Sequence, residues 1–145
     1  MKNTLFAVVC MLIQTICAAA ITGSWEYVTT GSKTAYSFRS DRITEADLPQ
    51  AKKVWVRMDA LKEPISLNPD NPKSKRYSYG IVQWTIYCKS DKYSLGPESY
   101  YDTSGALIFG SEGAEFSTKT VIPDTIGDAI VTSFCTYIGQ RQRTN

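Results

Sequence analysis

Carboxylate pairs are the residues of this sequence best suited to acid–base chemistry, because histidine is absent altogether. That absence excludes Ser-His-Asp and Cys-His catalysis, histidine-ligated zinc and histidine pH switching. Three pairs fall in turns or at a helix start: Glu98 with Asp102, Glu112 with Glu115, and Asp124 with Asp128. Acidic residues favour helix N-termini for electrostatic reasons alone, and the sequence shows no partner that would shift their pKa values. We therefore predict no catalytic residue, and a carboxylate-dependent hydrolase ranks third among the functions considered.

Cofactor and nucleic-acid binding also lack support in the sequence. The glycines form neither a phosphate-binding loop nor a dinucleotide fingerprint, and we predict no cofactor and no metal. The 16 Lys and Arg residues nearly balance the 14 Asp and Glu residues, which gives a formal net charge of +2. So small a net charge provides no electrostatic basis for a nucleic-acid partner.

Tyrosine is the most informative residue type, since aromatic residues make up 12% of the chain. The candidates for a binding surface are Tyr77, Tyr79 and Tyr87, which alternate on one predicted strand face, and the nearby basic residues Lys73, Lys75 and Arg76. Tyrosine and arginine are enriched in protein interfaces, so this set predicts a surface that binds a protein partner. The alternative is that the tyrosines fill the solvent side of an antiparallel sheet, where aromatic residues are common.

The N-terminal segment has the three-part pattern of a secretory signal peptide. Lys2 supplies the basic start, an apolar run extends from Leu5 to Ile16, and three alanines follow. We predict that residues 1–20 are removed on export and that residues 21–145 form a single domain, which buries roughly two-thirds of its unfolded surface. A membrane anchor is one alternative, although the apolar run is shorter than the ~20 residues that a span needs. Lipid attachment at Cys17 is the other.

Cysteine usage agrees with export. Cys10 and Cys17 would leave with the signal segment, so the mature chain keeps Cys88 and Cys135. An exported protein with one cysteine pair most simply forms one disulfide. Two free or metal-binding thiols are the alternative.

Alternation of apolar and polar residues predicts strands along most of the domain. The runs 25–30 and 34–38 predict a hairpin, and 53–59 and 76–88 predict longer strands. Shorter strands are predicted at 92–95, 99–102, 106–109 and 116–122, with an interruption at Gly96-Pro97 and a turn at Gly105. The proline-rich segment 63–75 is predicted to be a long exposed loop.

One helix is predicted near the C-terminus. Its apolar residues recur at helical spacing: Ile126, Ile130, Phe134 and Ile138. Thr125 stands three residues before Asp128, which is a variant of the capping box. Cys135 lies near the apolar stripe, so a disulfide to Cys88 would fasten the helix to the sheet.

Four segments, in this order, give the mature chain a resemblance to the surface-adhesin protein E family of Gram-negative bacteria. They are Val54-Trp55-Val56-Arg57, the run from Ser78 to Cys88, Tyr100-Tyr101-Asp102 before Gly105, and the run from Ile122 to Ala129 leading to Cys135. The resemblance implies an α+β fold, with a bent antiparallel β-sheet of about six strands and a C-terminal α-helix packed on one face and tied by a disulfide. It also implies an adhesin that binds host matrix or serum proteins and is able to form a homodimer. The lipoprotein signal expected of an anchored member is missing.

The leading hypothesis is therefore an exported, non-enzymatic, adhesin-like binding protein that engages host extracellular-matrix, serum or envelope proteins. The runner-up is a periplasmic inhibitor or envelope stress protein, which the small size, the single disulfide and the cleavable signal favour. Both hypotheses place the protein in the periplasm or on the outer cell surface. Exposure on the outer surface would argue against the periplasmic alternative, so the location separates the two hypotheses.

Overall fold

The computed structural model describes residues 24–48, 50–113 and 117–143, with side chains described as far as residue 139. The predicted signal segment, residues 1–20, lies outside these ranges. The strands in the described part are β1 (Trp25–Thr30), β2 (Thr34–Arg39), β3 (Thr44–Glu45), β4 (Ala51–Ala60), β5 (Ile65–Ser66), β6 (Arg76–Tyr77), β7 (Tyr79–Tyr87), β8 (Lys92–Tyr101), β9 (Leu107–Ser111) and β10 (Lys119–Thr120). A 3-10 turn at Ser40–Arg42 follows β2, and the helix α1 spans Ile126–Arg143.

One antiparallel sheet dominates the fold. Six of its strands follow the order β1-β2-β4-β7-β8-β10, while β3 pairs with β4 and β9 pairs with β8. A separate two-stranded sheet joins β5 to β6 at the base of the proline-rich segment. The predicted α+β fold, with a sheet of about six principal strands and one C-terminal helix, is confirmed.

The core lies between α1 and one face of this sheet. Val54 pairs with Trp84 and Val56 with Val82 in the β4–β7 register, so the apolar residues of both strands share the face that meets the helix. The Phe134 ring meets the Phe38 ring edge-on, with 5.6 Å between centroids. The residues of this core are almost completely buried: Phe38, Val54, Val56, Ile86, Ile130, Val131 and Phe134.

The helix is capped at its start and joined to the sheet near its middle. The Thr125 hydroxyl accepts a hydrogen bond from the Asp128 amide at 3.3 Å, and the Asp128 carboxylate accepts one from the Asp124 amide at 3.1 Å. This is the predicted capping-box variant. Cys88 and Cys135 form the predicted disulfide, with their Cα atoms 5.6 Å apart. Among the described residues, no helix combines the length and the apolar character that crossing a bilayer requires.

The predicted interruption at Gly96-Pro97 was wrong, because β8 continues through both residues. Proline has no N–H group and is normally confined to sheet edges or bulges. Here Val82 pairs with Glu98 and Trp84 with Leu95, so that Gly96 and Pro97 together oppose Gln83. This bulge lets the strand continue while Pro97 stands where no ladder donor is needed.

The strand predicted over 76–88 is divided in two. Tyr77 pairs with Ile65 in the small β5–β6 sheet, whereas Tyr79 begins β7 and pairs with Tyr101 of β8. Ser78 lies between them and still accepts a hydrogen bond from the Ala60 amide at 2.8 Å. The Ser78 amide also donates to the Tyr101 carbonyl at 2.7 Å, so Ser78 stays bonded to the main sheet on both sides while the chain changes partners. Of the strand predicted over 116–122, only β10 forms, and residue 116 lies outside the described residues.

Candidate functional site

Five side chains, each from a different strand, form a continuous stack on the sheet face opposite the helix. They are Arg39 of β2, Trp25 of β1, Arg57 of β4, Tyr79 of β7 and Tyr101 of β8. The Arg57 guanidinium carbon lies 4.3 Å from the centre of the Tyr79 ring and 5.9 Å from that of Trp25. Arg39 covers Trp25 at 5.7 Å, and the Tyr79 and Tyr101 rings stack at 4.7 Å with 11° between their planes. We call this set the aromatic–arginine ladder.

Strand register explains why these five residues meet. Arg57 alternates with the buried Val56, so it must emerge on the face opposite the helix. The register then places Asp59 opposite Tyr79, and Tyr79 opposite Tyr101. On the other side Ser37 stands opposite Arg57, and its small side chain leaves room for a ring from β1 to reach across β2.

Both arginines of the ladder are held in place by carboxylates. Arg57 Nε lies 2.9 Å and 2.8 Å from the two carboxylate oxygens of Asp59, and a second guanidinium nitrogen lies 2.7 Å from Asp59 Oδ1. These hydrogen bonds raise the pKa of Arg57. Arg39 is bound in the same way by Asp41, at 2.9 Å. Two-point binding fixes the plane of each guanidinium over its ring, so the ladder is ordered by contacts within the chain itself.

A second aromatic cluster lies on the helix-facing side at the same end of the sheet. The rings of Tyr77 and Tyr100 meet at 4.8 Å, and Phe109 lies 6.1 Å from Tyr100. The Tyr100 hydroxyl donates to Glu98 Oε2 at 2.9 Å. Gly80 makes this packing possible, because a Cβ atom there would lie 2.7 Å from the Tyr100 ring. Tyr100 and Tyr101 thus belong to different clusters on opposite faces.

The tyrosines of this second cluster should make the stability of the fold depend on pH in the alkaline range. Burial raises the pKa of Tyr77 and of Tyr100, and the hydrogen bond to Glu98 adds to the effect at Tyr100. Above about pH 10 the unfolded chain loses these phenolic protons more readily than the folded chain, so stability falls as pH rises. We expect the urea midpoint of Tyr100→Phe to fall less steeply between about pH 9 and 11.5 than that of the parent. Equal slopes in the two proteins would contradict this assignment.

The six residues predicted to bind are separated by the structure into four settings. Tyr79 belongs to the ladder, and Tyr77 belongs to the cluster on the other face. Tyr87 ends β7, eight residues or about 26 Å along the strand from Tyr79. The three basic residues lie in or beside the proline-rich segment: Lys73 is exposed, Lys75 Nζ donates to the Ile108 carbonyl at 3.2 Å, and Arg76 Nε donates to the Pro64 carbonyl at 2.8 Å.

Four ladder residues were not among the predicted candidates. They are Trp25, Arg39, Arg57 and Tyr101. Alternation already assigns Arg57 to the polar face of its strand, and Tyr101 belongs to the tyrosine-rich stretch. The missing information was the register between strands, because a period of two shows which residues of one strand share a face but not their neighbours on the next strand.

Three of the carboxylates considered for catalysis, Glu98, Asp102 and Asp128, have local structural partners. Asp102 Oδ1 accepts hydrogen bonds from the Ser104 hydroxyl at 2.6 Å and from the Ala106 amide at 3.0 Å, and these bonds lower the pKa of Asp102. They close the turn in which Gly105 adopts a φ of +82°, as the sequence predicts. Glu115 lies outside the described residues. Within the described ranges, no three acidic or cysteine side chains are grouped closely enough to hold a metal ion.

The sequence matches no protein-family model and no curated protein. Solved structures are more informative. Crystal form II of Haemophilus influenzae protein E superposes with a TM-score of 0.59 at 16% identity, covering 81% of this chain and 91% of that chain. A second structure of Haemophilus influenzae protein E gives 0.56 at 16% identity, with 82% and 88% covered. Protein E from non-typeable Haemophilus influenzae gives 0.56 at 15% identity, with 86% and 82% covered. The chain therefore has a protein E-like fold.

Proposed function

We propose that this chain is an exported, non-enzymatic, adhesin-like domain that binds a protein partner through the aromatic–arginine ladder. The ladder is the observation that carries the proposal. Tryptophan, tyrosine and arginine are the residue types that dominate the binding energy of protein interfaces. Here they are contiguous on one face, and the two arginines are already oriented by Asp59 and Asp41. A surface that is ordered in advance loses little conformational entropy on binding.

The ladder is also exposed enough to contact a partner. The Arg57 side chain is 32% exposed and its partner Asp59 is 41% exposed, so both are within reach of a ligand. Cation–π contacts at such half-exposed sites contribute only about 0.5 to 1 kcal/mol each to the fold. A partner that covers the stack would remove water from it and strengthen these electrostatic contacts. The contribution of these contacts to the stability of the fold is therefore too small to explain a stack that crosses five strands.

Export and a non-catalytic role rest on separate arguments. The disulfide between Cys88 and Cys135 favours an oxidising compartment, and the protein E-like fold supports an adhesin-like role through the family that the sequence resembles. Carboxylates with structural partners, such as Asp102, support a binding role over a hydrolytic one. The periplasm and the outer surface both fit these observations, and a periplasmic inhibitor or stress protein is the competing function.

Protease accessibility on intact cells decides between the two locations. Cells that express the full chain are treated with protease and probed for this protein beside a known periplasmic control. Cleavage with the control intact is the result expected of an adhesin-like protein. Protection equal to that of the control would contradict surface exposure and favour the periplasmic alternative.

The ladder itself is tested with two tyrosine variants on one strand face. Tyr79→Ala removes the central ring of the ladder, whereas Tyr87→Ala removes a tyrosine from the far end of the same strand. Purified protein is applied at micromolar concentration to immobilised basement-membrane matrix, serum proteins and envelope fractions. For any partner that binds the parent, we expect Tyr79→Ala to weaken binding by about 30-fold and Tyr87→Ala by less than about 3-fold.

Two outcomes would contradict the proposal. If the parent binds none of the three protein sources, the binding function is wrong. If both variants weaken binding equally while their melting temperatures match the parent, the function stands but the ladder is not the surface.

A further inference from the structure

The proline-rich segment forms one wall of a cleft that lies apart from the ladder. The cleft has a volume of about 710 Å³, and Ser32 and Lys33 of the β1–β2 turn form its other wall. Pro64 of the segment lines the cleft, as do Lys62 and Arg76, which flank the segment on either side. Pockets of this volume accommodate ligands as large as a short peptide or a drug molecule.

The segment is ordered by its own hydrogen bonds rather than by the core. The Asn68 and Asn71 side chains accept the amides of Asp70 and Lys73 at 3.1 Å and 3.0 Å, which makes two successive turns. The Leu67 amide donates to the Lys75 carbonyl at 3.0 Å and extends the β5–β6 pairing. Prolines at 64, 69 and 72 restrict the backbone further. Long loops that are built in this way, without a place in the core, usually carry function.

The charge of the cleft is predominantly positive. Lys33, Lys62 and Arg76 contribute three cations to its lining, against the single carboxylate of Glu63. Glu63 and Arg76 are 3.7 Å apart and more than half exposed, so their attraction is weak. In the part of the chain that the structure describes, the ammonium groups of Lys33 and Lys62 form no hydrogen bond or ion pair. They are therefore available to an incoming anion.

We propose that this cleft binds an acidic, extended peptide segment of a protein ligand. Three cations distributed over two walls suit a chain that carries several carboxylates, and the proline and isoleucine side chains of the segment offer apolar contact to the rest of that chain. The assignment of the ligand as a protein segment rests on the proposed binding function, while the preference for acidic residues rests on the cleft alone. The cleft would add a second, charge-selective contact to the one made by the ladder.

The test uses a defined probe and a matched pair of charge reversals. Binding of fluorescein-labelled hexaglutamate to the purified mature domain is measured by anisotropy at low salt, with hexalysine and hexaserine as control peptides. The cleft variant is Lys33→Glu with Lys62→Glu. The control variant, Lys89→Glu with Lys119→Glu, changes the net charge equally at exposed sites at the other end of the sheet.

We expect hexaglutamate alone to bind the parent, with a Kd below about 1 mM that weakens as salt rises. The cleft variant should lose at least about 10-fold in affinity, and the control variant less than about 2-fold. Equal losses in both variants, or no binding of hexaglutamate, would overturn the proposal. A heparin fragment that displaces hexaglutamate and binds far more tightly would overturn the peptide assignment in favour of an anionic polysaccharide. The ladder experiment uses different variants, so failure here leaves the proposed function intact.

Discussion

Phe134→Ala is expected to lower the free energy of unfolding by about 3 to 5 kcal/mol. The Phe134 side chain is completely buried and fills the space between α1 and the sheet, where it meets the edge of Phe38. Truncation removes that apolar contact and leaves a cavity, because α1 is held by the disulfide at the next residue, Cys135, and cannot easily move inward. The cost therefore belongs at the upper end of what such truncations produce.

Urea denaturation followed by circular dichroism measures this loss. Thr136→Ala is the matched control, since Thr136 lies two residues further along the same helix and is exposed. The control should stay within about 0.5 kcal/mol of the parent. A loss at Phe134 no larger than the loss at Thr136 would show that α1 does not form the core with the sheet.

Much of the fold was predictable because its signals are local. The helix follows from four apolar residues at helical spacing and from Thr125 at its start, and the first hairpin follows from two short runs around a glycine turn. The disulfide follows from cysteine parity once export is predicted. Each of these inferences needs only residues that are close in sequence, or a pair with no competing partner.

The bulge and the ladder could not be predicted from the sequence, and both for the same reason. Pro97 predicts an interruption when β8 is considered alone. Only the pairing with β7 shows that Gly96 and Pro97 form a bulge opposite Gln83, which lets β8 continue. Likewise Arg57 and Trp25 are 32 positions apart, and their contact depends on the pairing of three strands. The register between strands is set by the whole sheet, so a pattern within one strand does not contain it.

Under the proposed function, one face of the sheet provides stability and the other provides the binding surface. The helix-facing side carries the fully buried apolar residues, such as Val56, whereas the opposite side carries the half-exposed ladder, which contributes less to the fold. Alternation along β4 separates the two roles by a single residue, because Val56 and Arg57 are neighbours. Substitutions on the ladder face should therefore change binding with little change in melting temperature, and substitutions on the core face should do the reverse.

Removal of the disulfide by Cys88→Ser with Cys135→Ser is expected to cost about 2 to 5 kcal/mol of stability. The bond closes a loop over a sequence separation of 47 residues, for which the chain-entropy estimate is about 4 kcal/mol. That loop includes β8, β9, β10 and the first half of α1, so the bond restricts the unfolded chain between residues 88 and 135. The melting temperature should fall by at least about 10 °C.

The parent protein under a strong reductant is the control, and its melting temperature should equal that of the double-serine variant. If the variant instead has the melting temperature of the oxidised parent, the bond does not support the fold. Because the ladder stands on the face opposite α1, we expect a loosened helix to leave the pairing of β4 with β7 unchanged. Below its lowered melting temperature, the disulfide-free variant should therefore retain any Tyr79-dependent binding of the parent. Loss of that binding in a folded sample would show that the two faces are coupled through the sheet.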